Sequence, residues 1–123
     1  MIAPFTFNTA PSIRFGEGLL DEIGPMLDAD GHQTALIVTD AGMMATGIID
    51  RALASLAASG ITAGLYADVE ADPPEAIVHA AVEAARVAGA GMIIGIGGGS
   101  SLDVAKLVAL LLPGHQTLAA AYG

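Results

Sequence analysis

The segment with the clearest chemical potential consists of Gly97, Gly98, Gly99 and Ser100, which lie between a buried apolar run and a stretch with helical spacing. Glycine has no side chain to keep a ligand away from the backbone. The first N–H groups of a helix are unpaired, and the positive end of the helix dipole lies beside them. Because three consecutive glycines exceed what a turn needs, we predict that this loop binds a phosphate or diphosphate. The alternative is a tight turn in which Ser100 caps the helix.

Known phosphate-binding and nucleophile motifs match this loop only in part. The sequence GIGGGS at residues 95–100 begins like the dinucleotide-binding pattern GxGxxG but ends in serine, and no Gly-Lys-Ser/Thr follows to make a P-loop. Leu102 occupies the position of the final glycine in G-x-S-x-G, so Ser100 does not match a hydrolase nucleophile. The prediction of phosphate binding therefore depends on the glycines and their place between strand and helix.

Two aspartates have positions that suit a nucleotide ligand. Asp40 follows the apolar run at residues 34–39, where a carboxylate can bind ribose hydroxyls or can cap a helix that begins at residue 41. Asp103 lies three residues after Ser100, which is the spacing of a capping box, and Lys106 is close enough in sequence to pair with it. The other interpretation of Asp103 is functional, because a second anion beside a phosphate is costly unless it faces a hydroxyl or a cation.

The histidines give no sign of a metal site. His32, His79 and His115 are too widely spaced for a helical pair of ligands, and no H-E-x-x-H pattern occurs. Acidic residues do recur around His79 at a spacing of four, but the same helical face continues with Arg86. We therefore interpret this stripe as a solvated surface.

The elements that must position these residues alternate along the chain. Apolar runs at residues 34–39, 61–66 and 91–96 predict buried strands, and two shorter extended pieces are predicted at residues 5–7 and 12–15. Helical periodicity covers residues 17–30, 48–59, 73–88 and 100–112. This order predicts an α/β fold, a Rossmann-like doubly wound parallel sheet. Ligands of such sheets bind beyond the carboxyl ends of the strands, here after Thr39, Tyr66 and Ile96.

Composition narrows the classes of protein. The 123 residues suit one domain, and a hydrophobic content of 54% excludes a disordered tail. Thirteen acids against four bases give a net charge of −9, which disfavours nucleic acid as a partner. No apolar run approaches the ~20 residues of a membrane span, and the start of the chain lacks a signal-peptide pattern. Because cysteine is also absent, we expect a cytoplasmic protein.

The sequence resembles the amino-terminal domain of the iron-containing alcohol dehydrogenases along nearly its whole length. The shared segments are FTF at residues 5–7, IRFGEG at 13–18, LIVTD at 36–40, DPP at 72–74 and GIGGGSSLDVAK at 95–106. Only the last of these is specific by itself. The resemblance implies a single dinucleotide-binding domain over residues 1–123, belonging to a longer enzyme whose all-helical second domain holds iron or zinc through an Asp and three His.

The resemblance also implies roles for individual residues. It assigns Gly97, Gly98, Gly99 and Ser100 to the diphosphate of the cofactor. Asp40 would bind the adenosine ribose, Asp103 would lie toward the nicotinamide, and Asp72 would also be near the cofactor. An acid at position 40 favours NAD over NADP, because a 2′-phosphate would meet a like charge.

The function expected from the resemblance is the interconversion of an alcohol with an aldehyde or ketone. Assembly of the enzyme into homo-oligomers is left open. No catalytic residue and no metal ligand is expected within these 123 residues, so we expect this part alone to be inactive. The alternative is a nucleotide-binding or interaction module that performs no chemistry.

Overall fold

The elements follow one another as the sequence predicts, with one strand added near the end. A computed structural model describes residues 19–112 and 116–121, so the extended pieces predicted at residues 5–7 and 12–15 lie outside the described residues. A short 3-10 helix, Leu19–Glu22, leads directly into the first α-helix. The other elements are α1 (Ile23–Ala29), β1 (Thr34–Val38), α2 (Ala41–Met44), α3 (Ile48–Ala58), β2 (Thr62–Tyr66), α4 (Glu75–Ala88), β3 (Met92–Gly97), α5 (Gly99–Leu111) and β4 (Gln116–Ala121).

The four strands form one parallel sheet in the order β2-β1-β3-β4. The connection that leaves β1 leads outward to β2, whereas the connection that leaves β3 leads outward to β4. A crevice therefore opens between the carboxyl ends of β1 and β3, where the direction of winding reverses. The α/β doubly wound, Rossmann-like prediction is confirmed.

Both faces of the central strands β1 and β3 are covered, and nearly every residue of these two strands is buried. Along β1, Ala35 and Ile37 belong to a core cluster with Ile49 and Leu56 of α3. The alternate residues, such as Leu36, belong to a second cluster with α4 and α5. Successive side chains of a strand point to opposite faces, so a strand buried on both sides needs apolar residues at every position.

Gly95 sets the distance between β3 and the helix that follows it. A Cβ atom built at Gly95 would lie 2.8 Å from the Cβ of Ala105, closer than two carbon atoms can approach. The absence of a side chain therefore lets α5 pack directly on β3. The loop between them, with its glycines, is held at the carboxyl edge of the sheet by this contact.

Two details of the sequence prediction are corrected. The strand β4 was not predicted, because its sequence QTLAAA lacks the β-branched residues that mark the other strands. Helix α5 begins at Gly99 with Gly98 as its N-cap residue and without a side-chain cap, so the alternative interpretation in which Ser100 caps the helix is wrong. Among the helices in the described ranges, none is both long enough and apolar enough to cross a membrane.

Candidate functional site

A cleft of about 280 Å³ lies at the crevice between β1 and β3, where three loops converge. These are the loops after the first, second and third strands, which are the three positions that the sequence predicts for ligands. The residues that line the cleft are Asp40, Val69, Glu70, Ala71, Gly98, Gly99, Ser100 and Ser101. The sheet topology thus joins segments that are up to 61 positions apart in the sequence.

Gly98 and Gly99 line the cleft with backbone alone. A Cβ atom at Gly98 or Gly99 would meet no other atom within 4 Å, so both positions border open space. No side chain caps the N-terminus of α5. Gly97 has a φ of +144°, a backbone conformation that residues with a side chain rarely adopt. Exposed glycine backbone at an uncapped helix start is a suitable receptor for a phosphate group.

Asp40 also lines the cleft, and each of its carboxylate oxygens accepts a hydrogen bond. Its Oδ1 accepts a hydrogen bond of 2.9 Å from the backbone N–H of Met43, so Asp40 does cap the short helix α2. Its Oδ2 accepts a hydrogen bond of 3.1 Å from the hydroxyl of Ser101. The cap and the cleft position coexist, and the two sequence interpretations of Asp40 do not exclude each other.

Thr39 anchors the floor of the cleft. Its hydroxyl is fully buried and donates a hydrogen bond of 2.7 Å to the carbonyl oxygen of Ile96. Its backbone N–H donates to the carbonyl of Tyr66, and its own carbonyl accepts from the N–H of Val69. One residue therefore joins the ends of β1, β2 and β3, and it holds the three ligand-facing loops in register.

Asp72 and Asp103 are placed differently from the other predicted site residues. Both are exposed, and neither lines the cleft. Asp72 has a φ of +46°, which is uncommon for a residue other than glycine. Within residues 19–112, Asp103 makes neither a capping hydrogen bond nor an ion pair with Lys106, so the capping-box interpretation of Asp103 is wrong.

The two charged side chains that line the cleft are both acidic. Asp40 and Glu70 both line it, and Asp68 lies nearby in the same acidic loop. Burial raises the pKa of Tyr66 above its usual 10.0, and the charges of Asp68 and Glu70 raise it further. An anionic ligand in this cleft would meet repulsion from these carboxylates, so it would need the helix N-terminus and specific hydrogen bonds to bind.

The acidic stripe on α4 is a solvated surface, as the sequence predicts. His79 pairs with Glu75 at 3.2 Å, and Arg86 pairs with Glu83 at 2.8 Å, all on exposed side chains. Among the described residues, no group of three or more His, Asp or Glu side chains is close enough to hold a metal ion.

Sequence reasoning missed two polar residues of the cleft. Glu70 belongs to the loop after β2. The sheet topology predicts that this loop faces a ligand, but it does not indicate which residue of the loop does so. Ser101 was overlooked because the conspicuous serine of the motif is Ser100, and nothing in the local sequence shows which of the two faces Asp40. The contact between Ser101 and Asp40 becomes visible only when the β1 and β3 loops are brought together.

A family model described as iron-containing alcohol dehydrogenase matches residues 10–122. The chain belongs to this family. Long-chain-alcohol dehydrogenase 1 of Geobacillus thermodenitrificans is 36% identical over 101 residues, which cover 82% of this chain and 26% of that enzyme. The NAD-dependent methanol dehydrogenase of Bacillus methanolicus is 31% identical over 105 residues, covering 85% of this chain and 28% of that enzyme. The chain spans about a quarter of the length of these curated relatives.

A solved structure places the fold in the same family. The NADH-dependent butanol dehydrogenase A of Thermotoga maritima superposes with a TM-score of 0.78 and 32% sequence identity. The match covers 90% of this chain and 29% of that protein. Membership of the iron-containing alcohol dehydrogenases confirms the resemblance inferred from the GIGGGSSLDVAK block, and it disfavours an interaction module without chemistry.

Proposed function

We propose that the 123 residues form the NAD-binding domain of a metal-dependent alcohol dehydrogenase that interconverts an alcohol with an aldehyde or ketone. The observation that supports this most strongly is the cleft between β1 and β3, where uncapped glycine backbone faces an oriented carboxylate. A dinucleotide has a diphosphate that suits the glycine backbone and ribose hydroxyls that suit the carboxylate.

The diphosphate is held by Gly97, Gly98, Gly99 and Ser100 in this proposal. Backbone N–H groups at the start of α5 donate to the phosphate oxygens, and the helix dipole favours their negative charge. The open space around Gly98 and Gly99 supports this assignment, because a diphosphate needs room at that point.

Asp40 accepts hydrogen bonds from the hydroxyls of the adenosine ribose and disfavours a 2′-phosphate at the same place. This makes NAD the preferred cofactor over NADP. The proposal also retains Asp72 and Asp103 as contacts to parts of the cofactor that extend beyond the cleft. Their exposure leaves both carboxylates accessible, and the family resemblance is the main support for these two assignments.

The chemistry of the reaction requires groups beyond those described here. When bound, the nicotinamide exchanges a hydride with the substrate, and an iron or zinc ion polarises the substrate oxygen. We assign the metal ligands to a further domain of the complete enzyme, as the family resemblance implies. This chain alone then binds cofactor and turns over no substrate, and its contribution is to bind and orient the dinucleotide.

Titration of the 123-residue chain with NADH, followed by fluorescence and calorimetry, tests the proposal. We expect saturable binding that the substitution Gly98→Asp abolishes, because a carboxylate then occupies the phosphate position. Ala57→Asp, at an exposed position near the end of α3, adds the same charge away from the cleft and should leave NADH binding unchanged. Equal affinity of the parent chain and Gly98→Asp would overturn the diphosphate assignment.

A further inference from the structure

Ser101 is buried, and its hydroxyl makes a hydrogen bond to another residue that lines the cleft. Ser101 lies in the first turn of α5 and is 1% exposed. Its Oγ donates to Oδ2 of Asp40, which is 61 positions earlier in the sequence. This is a side-chain link between the two loops that approach each other at the point where the sheet winding reverses.

A structural role in packing does not explain this serine. A buried hydroxyl costs free energy unless it finds a partner, so the position of that partner matters at this buried site. Serines within helices commonly bond to a carbonyl of the preceding turn. Here the hydroxyl instead reaches a carboxylate on another loop, and the receiving oxygen belongs to a residue that lines the cleft.

The result is a carboxylate whose orientation is fixed from both ends. The N–H of Met43 holds Oδ1, and Ser101 holds Oδ2. Gly97 makes room for this arrangement, because a Cβ at that position would lie 3.0 Å from Oδ2 of Asp40 and 3.1 Å from Oγ of Ser101. Each carboxylate oxygen has a second lone pair, which remains available to a ligand hydroxyl.

We propose that Ser101 is a positioning residue that orients Asp40 and thereby sets the preference for NAD over NADP. This inference rests on the proposed function, in which Asp40 binds the adenosine ribose. Without the Ser101 hydroxyl, Oδ2 loses its donor and the carboxylate can rotate. NAD then loses a pre-oriented acceptor, whereas NADP gains because the carboxylate can turn away from the 2′-phosphate.

The test compares NADH and NADPH affinities of the parent chain and of Ser101→Ala. We expect the ratio of NADPH to NADH dissociation constants to fall by about three- to tenfold, the range that one hydrogen bond commonly contributes. Ser55→Ala is the matched control, because Ser55 is a buried serine that bonds Gly24 and Asp21 on the other face of the sheet. Its loss should lower stability and leave the ratio unchanged.

A double-substitution cycle separates positioning from a general effect on the fold. If Ser101 acts through Asp40, Ser101→Ala should leave the ratio unchanged in a chain that already has Asp40→Ala. If Ser101→Ala does not fold, as judged by circular dichroism, Ser101→Cys replaces it, because a thiol has a similar size and is a weaker donor. An intermediate ratio is then expected.

Three outcomes would overturn the proposal. An unchanged ratio in a folded Ser101→Ala variant removes the positioning role but leaves the proposed cofactor binding intact. A ratio that falls equally with and without Asp40 shows that Ser101 does not act through that residue. Failure of the parent chain to bind either nucleotide would refute both the positioning role and the proposed function.

Discussion

The hydroxyl of Thr39 donates a 2.7 Å hydrogen bond to the carbonyl of Ile96, and this contact joins the ends of β1 and β3 beneath the candidate site. Both residues are fully buried. The threonine at the end of β1 therefore has a structural role, because its side chain donates to a carbonyl that is buried away from water.

Thr39→Val should destabilise the chain by about 1 to 3 kcal/mol, because the Ile96 carbonyl then remains buried without this donor while the side chain keeps its shape. Urea unfolding followed by circular dichroism measures the change. Thr62→Val is the control, since Thr62 is an exposed residue of β2 and its substitution should stay within about 0.5 kcal/mol. Equal effects at the two positions would contradict the role given to Thr39.

Two glycines near the cleft should respond in opposite ways to alanine. Gly95→Ala brings a methyl group against Ala105 and should cost about 1 to 3 kcal/mol of stability through overpacking. Gly98→Ala meets open space, so the free energy of unfolding should change by less than about 0.5 kcal/mol. NADH binding should nevertheless weaken by roughly tenfold, because the methyl group enters the cleft. Unfolding curves and NADH titrations of both variants distinguish a packing glycine from a ligand-facing one.

Glu70→Gln should tighten NADH binding by about two- to fivefold at low salt, because it removes one of the two carboxylates that line the cleft. The difference between parent and variant should shrink as salt is added, since ions screen exposed charges. Asp28→Asn, at an exposed site near the end of α1, removes the same charge away from the cleft and should have little effect. A gain in NADH affinity that does not depend on salt would indicate that the substitution changes the shape of the cleft and not its charge.

The raised pKa of Tyr66 predicts a loss of stability in alkaline solution. Above the unfolded value near 10.0, the unfolded chain releases the phenolic proton while the folded chain retains it. The free energy of unfolding should therefore fall as the pH rises from about 10 and level off above the folded pKa. Tyr66→Phe should reduce this fall, as measured by urea unfolding at a series of alkaline pH values. Identical pH profiles for parent and variant would contradict the shift.

The fold was largely predictable from the sequence because its strongest signals are local. Residues 35–38 and 92–96 consist only of apolar residues and glycine, and a strand covered on both faces requires that pattern. The convergence of three loops followed from the parallel sheet and its winding. By contrast, β4 is an alanine-rich strand that pairs with β3, and no local sequence pattern predicts it.

The sequence predicts where the site lies better than it predicts which residues form it. Asp40, Gly98, Gly99 and Ser100 line one cleft, because all of them follow the carboxyl ends of neighbouring strands. The link from Ser101 to Asp40 spans 61 positions and depends on the helix starting at Gly99. A shift of the helix start by one residue would turn a different serine toward the aspartate, and sequence patterns do not locate helix ends that closely.

The close contact between Gly95 and Ala105 couples ligand binding in the cleft to the stability of the neighbouring strands. Helix α5 packs directly on β3. A ligand that binds only when the first turn of α5 is formed therefore stabilises the packing of the whole helix on the sheet. The thermal midpoint then becomes a reporter of nucleotide concentration, and protection of backbone amides should spread from the glycine loop along β3 to its neighbour β4.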